Sequence, residues 1–195
     1  ECMEERQVTE GGVTYPLEEP FLVVATQNPI EIQGTFALPE AQLDRFLMRL
    51  SMGYPEGDEA VAVLNRFLTN DPMAELKAVA GAEDLLRAQA ECLEVQVSEP
   101  VMRYIAALCE ATRKSPQALL GASPRGMLNL MRASQALALI RGRDFVTPDD
   151  VKALAVPVLA HRVIMRGVYG KTDAAKGIVA DALHTVPVPT EEPDA

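Results

Sequence analysis

The sequence predicts a mainly helical protein whose helices follow the end of an α/β layer, and three observations carry that expectation. From residue 56 onward apolar residues recur at three- and four-residue spacing, in Ala60, Val63, Leu64 and Phe67 and again in Val101, Ile105, Leu108 and Cys109. Before that point the run Phe21-Leu22-Val23-Val24-Ala25-Thr26 is apolar without alternation, the pattern of a strand buried on both faces. Residues 7–15 place two short β-branched runs around Glu10-Gly11-Gly12, a hairpin signal.

Taken in order, Glu1 to Arg6 reads as the middle or end of a helix with no N-cap before it. With Glu rather than Met in first place, the chain is expected to begin inside a larger protein. After the hairpin, Pro16 and Pro20 break the pattern, and the strand at 21–26 ends in Gln27-Asn28-Pro29. Polar residues at the carboxyl end of such a strand stand where open α/β sheets bind ligands. Residues 30–39 form a loop, Glu40 to Asp44 make one or two helical turns, and Phe46 to Met52 reads as a second short strand. Two central-type strands do not make a doubly wound sheet. The piece is therefore the end of a domain that starts upstream, or an edge supported by another chain.

In the helical part Ser98 is a plausible N-cap, with Pro100 tolerated in the first turn. Residues 124–141 are apolar on nearly every side, which places that helix at the centre of a bundle. Thr147-Pro148-Asp149-Asp150 combines an N-cap, a first-position proline and acids facing the positive end of the helix dipole. The last helix, about 172–184, leads into Val186-Pro187-Val188-Pro189 and an acidic tail expected to be disordered. The expected division is 1–54, 55–186 and 187–195.

Eighteen Lys plus Arg against 28 Asp plus Glu give a net charge of −10 over 195 residues. So acidic a chain is poorly suited to neutralising a phosphate backbone, and nucleic acid is not an expected partner. No apolar tract reaches the length of a membrane span and no signal peptide opens the chain, so a soluble, cytoplasmic protein is expected. Cys2, Cys92 and Cys109 have no CxxC spacing, and with only His161 and His184 they assemble neither a disulfide framework nor a zinc site. Cys109 lies on an apolar stripe and reads as a buried, inert thiol.

Gly170-Lys171-Thr172 suggests a phosphate-binding loop, but the spacing requires glycine at position 165, which is Met165, and the preceding segment reads as helix. It is an ordinary helix end and turn, with Gly170 a C-cap candidate. The chain alone shows neither a phosphate cradle nor a metal ligand pair.

Three segments together carry a more specific signal: Ala25-Thr26-Gln27-Asn28-Pro29, Leu38-Pro39-Glu40-Ala41-Gln42-Leu43-Asp44-Arg45-Phe46 and Gly121-Ala122-Ser123-Pro124-Arg125-Gly126. They resemble, in order and separation, segments of the MoxR family of AAA+ ATPases. The similarity extends through Glu4 to Thr9 and Val146 to Val151, across about residues 1–165. It implies an AAA+ helical lid bundle preceded by the truncated end of a P-loop NTPase-like α/β core, with Walker A and Walker B upstream of Glu1. It also implies ATP and Mg2+ as cofactors of the intact protein, with none held tightly by this piece, which by itself would be inactive. Further implications are a homo-oligomeric ring, usually a hexamer, a von Willebrand factor A domain partner, and chaperone-like remodelling or metal-cofactor maturation of a client complex.

By the same resemblance Asn28 matches sensor 1, which orients the attacking water or contacts the γ-phosphate; an Asn-Pro turn is its plain alternative. Arg45 matches the arginine finger that reaches a neighbouring subunit's nucleotide, against the plain alternative of a surface Arg paired with Asp44 or Glu40. Arg125 matches sensor 2, contacting the γ-phosphate in cis from the first turn of the central lid helix. A cation there opposes the helix dipole, a hint that an anion is expected. Gly126 departs from the family's usual Ala. The rival readings are a non-enzymatic helical interaction module and a magnesium-chelatase-like motor subunit.

Overall fold

The structure, a computed structural model, describes residues 2–27, 38–68, 72–167 and 172–190. Residues 2–5 form turns rather than a helix end, and Arg6 takes a left-handed backbone with φ 50°. The hairpin is present. β1 (Gln7–Glu10) pairs antiparallel with β2 (Val13–Pro16), and Gly11 and Gly12 turn the chain at φ 59° and 80°, a conformation open to residues without a Cβ.

Neither expected central strand forms. Residues 21–27 and 48–56 have no regular structure, and Leu22, Val24 and Met52 are 80%, 77% and 99% exposed. A strand buried on both faces needs neighbours on both edges, and among the described residues the hairpin pairs only with itself.

The helices follow the periodicity. α1 (Glu40–Leu43) is a single turn, followed by α2 (Asp58–Arg66), a 3₁₀ turn at Pro72–Glu75, α3 (Ala82–Glu94) and α4 (Glu99–Lys114). Then come β3 (Ala118–Leu120), α5 (Pro124–Ile140), α6 (Pro148–Leu159), a 3₁₀ turn at Ala160–Arg162, β4 (Ile164–Met165) and α7 (Thr172–Thr185). β3 and β4 make a two-stranded antiparallel patch that is too short to show as a pattern in the sequence.

The core lies among α4 to α7: Tyr104, Ile105, Leu108 and Cys109 meet Leu130 and Ala133, Val151, Val158 and Leu159, and Ile178 and Val179. α5 touches α3, α4 and α6 as a central helix should, yet one of its faces is open, with Leu128 and Ile140 exposed. α2 is amphipathic but buries nothing, so its apolar Val61, Val63 and Leu64, and Phe67 just after it, remain in solvent. Buried polar groups inside the bundle are paired: Thr112 Oγ1 donates to the Cys109 carbonyl and accepts from Ala122 N, and Gln135 Nε2 donates to the Val95 carbonyl. Burial pushes the Cys109 thiol up to about 11, so it is protonated and inert at neutral pH.

Helix starts obey the expected chemistry. Thr147 and Asp150 form a reciprocal capping box at α6. At α5 the Ser123 hydroxyl accepts from Gly126 N at 3.2 Å. Among the described residues no helix is long and apolar enough to cross a membrane.

Candidate functional site

The site is built where the turn after α1 meets the start of α5 and the end of α6. α1 stops because its last turn tightens: Arg45 N donates to the Gln42 carbonyl and Phe46 N to the Leu43 carbonyl. The chain is then strapped to the bundle, with Arg49 N donating to the Pro157 carbonyl at 2.9 Å and His161 Nε2 at 3.2 Å from the Phe46 carbonyl.

Five charged side chains converge there. Glu4 joins the two cations singled out in the sequence: its Oε2 lies 2.7 Å from Arg45 Nε, and its Oε1 pairs with Arg125 Nη2. Arg125 also pairs with Asp44 at 3.4 Å. Asp44 further accepts from Ser123 Oγ and from Arg162 Nε, each at 3.1 Å. Three guanidiniums thus face two carboxylates, leaving one net positive charge at this point of a strongly acidic chain.

Arg45 and Arg125 are each about two-fifths exposed or less, so both are held in place while open to solvent. The plain alternative for Arg45, a pair with Asp44 or Glu40, is not what forms, because Asp44 turns toward α5 and Arg162. The anion expected near Arg125 at the positive end of α5 is supplied internally, by Glu4 and Asp44. Burial pulls the Arg162 guanidinium below its ordinary pKa, and Asp44 works against that. Burial, with Arg162 beside it, holds His161 down to about 4, so that ring is neutral at physiological pH.

Beside Arg45 a cavity of about 250 Å³ is lined by Cys2, Met3, Leu38, Gln42 and Phe46. It is smaller than the roughly 300–1,000 Å³ of typical ligand pockets. Among the described residues no cluster of His, Cys, Asp and Glu could hold a metal ion. Asn28 lies outside the described residues, as do Gly170 and Lys171.

Residues 1–48 match the family model described as "ATPase family associated with various cellular activities (AAA)", and residues 110–179 match the AAA lid domain. The chain is 42% identical over 193 residues to the YeaC protein of Bacillus subtilis (strain 168), covering 98% of this chain and 60% of that one. It is 41% identical over 174 residues to chaperone MoxR1 of Mycobacterium tuberculosis, covering 85% of this chain and 46% of that one. The chain belongs to the MoxR family of AAA+ ATPases. A crystal structure of a candidate ATPase from Cytophaga hutchinsonii superposes on this MoxR-family chain with a TM-score of 0.86 at 36% identity, over 97% of this chain and 60% of that one. The chain thus spans about half to three-fifths of the length of these relatives.

For the MoxR-family chain, Glu4, Asp44 and Arg162 were not legible as site residues. Asp44 stands inside the Leu-Asp-Arg-Phe segment, and Ser123 stands at the N-cap of α5. Arg162 carried no signal, being one cation at the end of an apolar helix.

Proposed function

We propose that this chain is the carboxyl-terminal part of a MoxR-type ATPase, in which 1–54 close the nucleotide-binding core, 55–186 form the lid and 187–195 are an acidic tail. Walker A and Walker B lie upstream in the whole protein. The observation that carries the reading is the placement of Arg45 and Arg125 on the two oxygens of Glu4. Each guanidinium is held in place by that carboxylate yet open to solvent, and each presents the planar donor fork that suits phosphate oxygens, Arg125 toward its own subunit's nucleotide and Arg45 toward a neighbour's.

When bound with Mg2+, ATP supplies the phosphoryl group that is transferred to water. Arg125, fixed at the first turn of α5, senses the γ-phosphate and ties its loss to movement of the lid. Arg45 stabilises charge on the transferring group as an arginine finger between neighbouring subunits of a homo-oligomeric ring, a hexamer by resemblance. Asn28 orients the attacking water. The lid movement remodels or matures a client complex together with a von Willebrand factor A domain partner, a role that the chaperone naming of MoxR1 supports.

Substitution in the whole protein tests this. Arg45→Ala lowers ATP turnover by on the order of 10³-fold or more, and Arg125→Ala lowers it as well. Turnover unchanged in both variants sinks both residue assignments, whereas a whole protein without ATP turnover leaves a helical interaction module as the better account. The present chain by itself should show no ATP hydrolysis above background.

A further inference from the structure

We infer that Arg162 is the positioning residue for Arg45, and through Asp44 for Arg125; this rests on the ATPase reading above. The Arg162 side chain is wholly buried. Nε donates to Asp44 Oδ1 at 3.1 Å and Nη2 to the Asp44 carbonyl at 2.9 Å. Nη2 also reaches the Phe46 carbonyl, and Nη1 donates to the Leu47 carbonyl at 3.2 Å and to the Val158 carbonyl one helical turn back. The planar fork thus holds the backbone on both sides of Arg45, from Asp44 to Leu47, and anchors it to the end of α6.

These carbonyls need donors because α1 ends at Leu43 and no helix continues to satisfy them. Lysine has three donors on a point charge and cannot span four carbonyls and a carboxylate in one plane. Burying a guanidinium is an expensive way to stabilise a fold, since an apolar side chain of the same volume commonly does as well or better. What the guanidinium adds is a fixed geometry. Room for it is made by Gly126: a Cβ there would lie 2.9 Å from Arg162 Cδ. Asp44 then carries the constraint onward, because the oxygen that accepts from Arg162 also accepts from the Ser123 cap while the other meets Arg125. One buried cation therefore sets the relative position of the two exposed ones and ties both to α6.

The test is a mutant cycle on ATP turnover in the whole protein. Arg162→Gln lowers kcat on the order of 10²-fold by misplacing Arg45, with KM for ATP unchanged within about twofold. In a background that carries both Arg45→Ala and Arg125→Ala the same substitution changes kcat by less than about twofold, because both groups it positions are gone. Arg162→Lys behaves as Arg162→Gln does. Losses that multiply, or an Arg162→Gln enzyme with wild-type kcat, overturn the inference. An Arg45→Ala enzyme with wild-type kcat overturns the assignment of Arg45 as the arginine finger, and a whole protein that does not hydrolyse ATP overturns the ATPase reading itself. Amide hydrogen exchange on the present chain separates positioning from folding: in Arg162→Gln, residues 45–49 lose protection while α4 and α5 keep theirs. Loss across the whole bundle makes Arg162 a folding residue and sinks the proposal.

Discussion

Asp150 offers the sharpest test of how the lid is held together. Its side chain is fully buried at the third position of α6, where Oδ2 accepts from Thr147 N at 2.9 Å and Thr147 Oγ1 at 2.8 Å. Arg143 grips both oxygens, at 2.6 and 2.8 Å, and Arg141 adds a contact at 2.8 Å. Burial by itself would raise the pKa, but the bonds from Arg143 and Thr147 outweigh it and hold the carboxyl at about 2 against an ordinary 3.8. A depressed folded pKa means stability that is complete above the unfolded value and drains away as pH falls from 3.8 toward 2. The shift corresponds to about 2 kcal/mol at neutral pH. Asp150→Asn keeps the shape and one acceptor but loses the charge and turns an amide N–H₂ toward guanidinium, adding about 1 kcal/mol of lost hydrogen bonding. The expected cost is about 3 kcal/mol at pH 7, at the low end for breaking a buried pair because Arg141 is half exposed and can rehydrate. Urea unfolding of both proteins at pH 7 and pH 3 measures it. Every other carboxylate is common to the two, so the stability gap isolates Asp150, and it should narrow by about 1 kcal/mol at the lower pH. A gap that stays constant, or widens toward acid, refutes the reasoning.

Gly121→Ala should cost about 2 kcal/mol or more in thermal unfolding, because its Cβ would sit 2.5 Å from Arg113 N and 2.6 Å from Arg113 Cα, backbone atoms that cannot step aside. Thr112→Val strands the buried Ala122 N–H that now donates to the hydroxyl at 3.0 Å, and a loss of about 1–3 kcal/mol in urea unfolding is expected. For His161, an NMR titration should place the pKa near 4, below the ordinary 6.5. Because burial disfavours the charged ring, the chain should lose up to about 3 kcal/mol relative to His161→Gln as pH falls from 6.5 to 4, and be unaffected above 6.5. An equal acid response in the two proteins rejects that account.

The helices were readable because each rests on signals within one or two turns of chain. Ser98, Ser123 and Thr147 each stand at a helix start, and the three- and four-residue spacing of Val101, Ile105 and Leu108 places the buried face of α4. Burial was less readable than helicity. α2 has the same amphipathic stripe as α4, yet it buries no residue, because periodicity states which face is apolar and not whether anything lies against it. The run at 21–26 fails for the same reason in sheet form. Apolar β-branched residues give a segment the capacity to be a central strand, and edges supplied from elsewhere decide whether it becomes one.

The site divides along the same line. Arg45 and Arg125 were found through the short segments around them, but what holds them joins residues 4, 44, 123 and 162, separations of up to 121 positions that no local pattern encodes. A lone Arg after an apolar helix reads as an ordinary C-terminal cation favoured by the dipole. Only its complete burial against the carbonyls around Arg45 distinguishes Arg162 from that reading. The cations that meet solvent thus stand in recognisable segments, whereas the cation that fixes their geometry is hidden both from solvent and from the local sequence. A change at Arg162 would therefore leave the segments around Arg45 and Arg125 unaltered while removing the geometry that makes them useful.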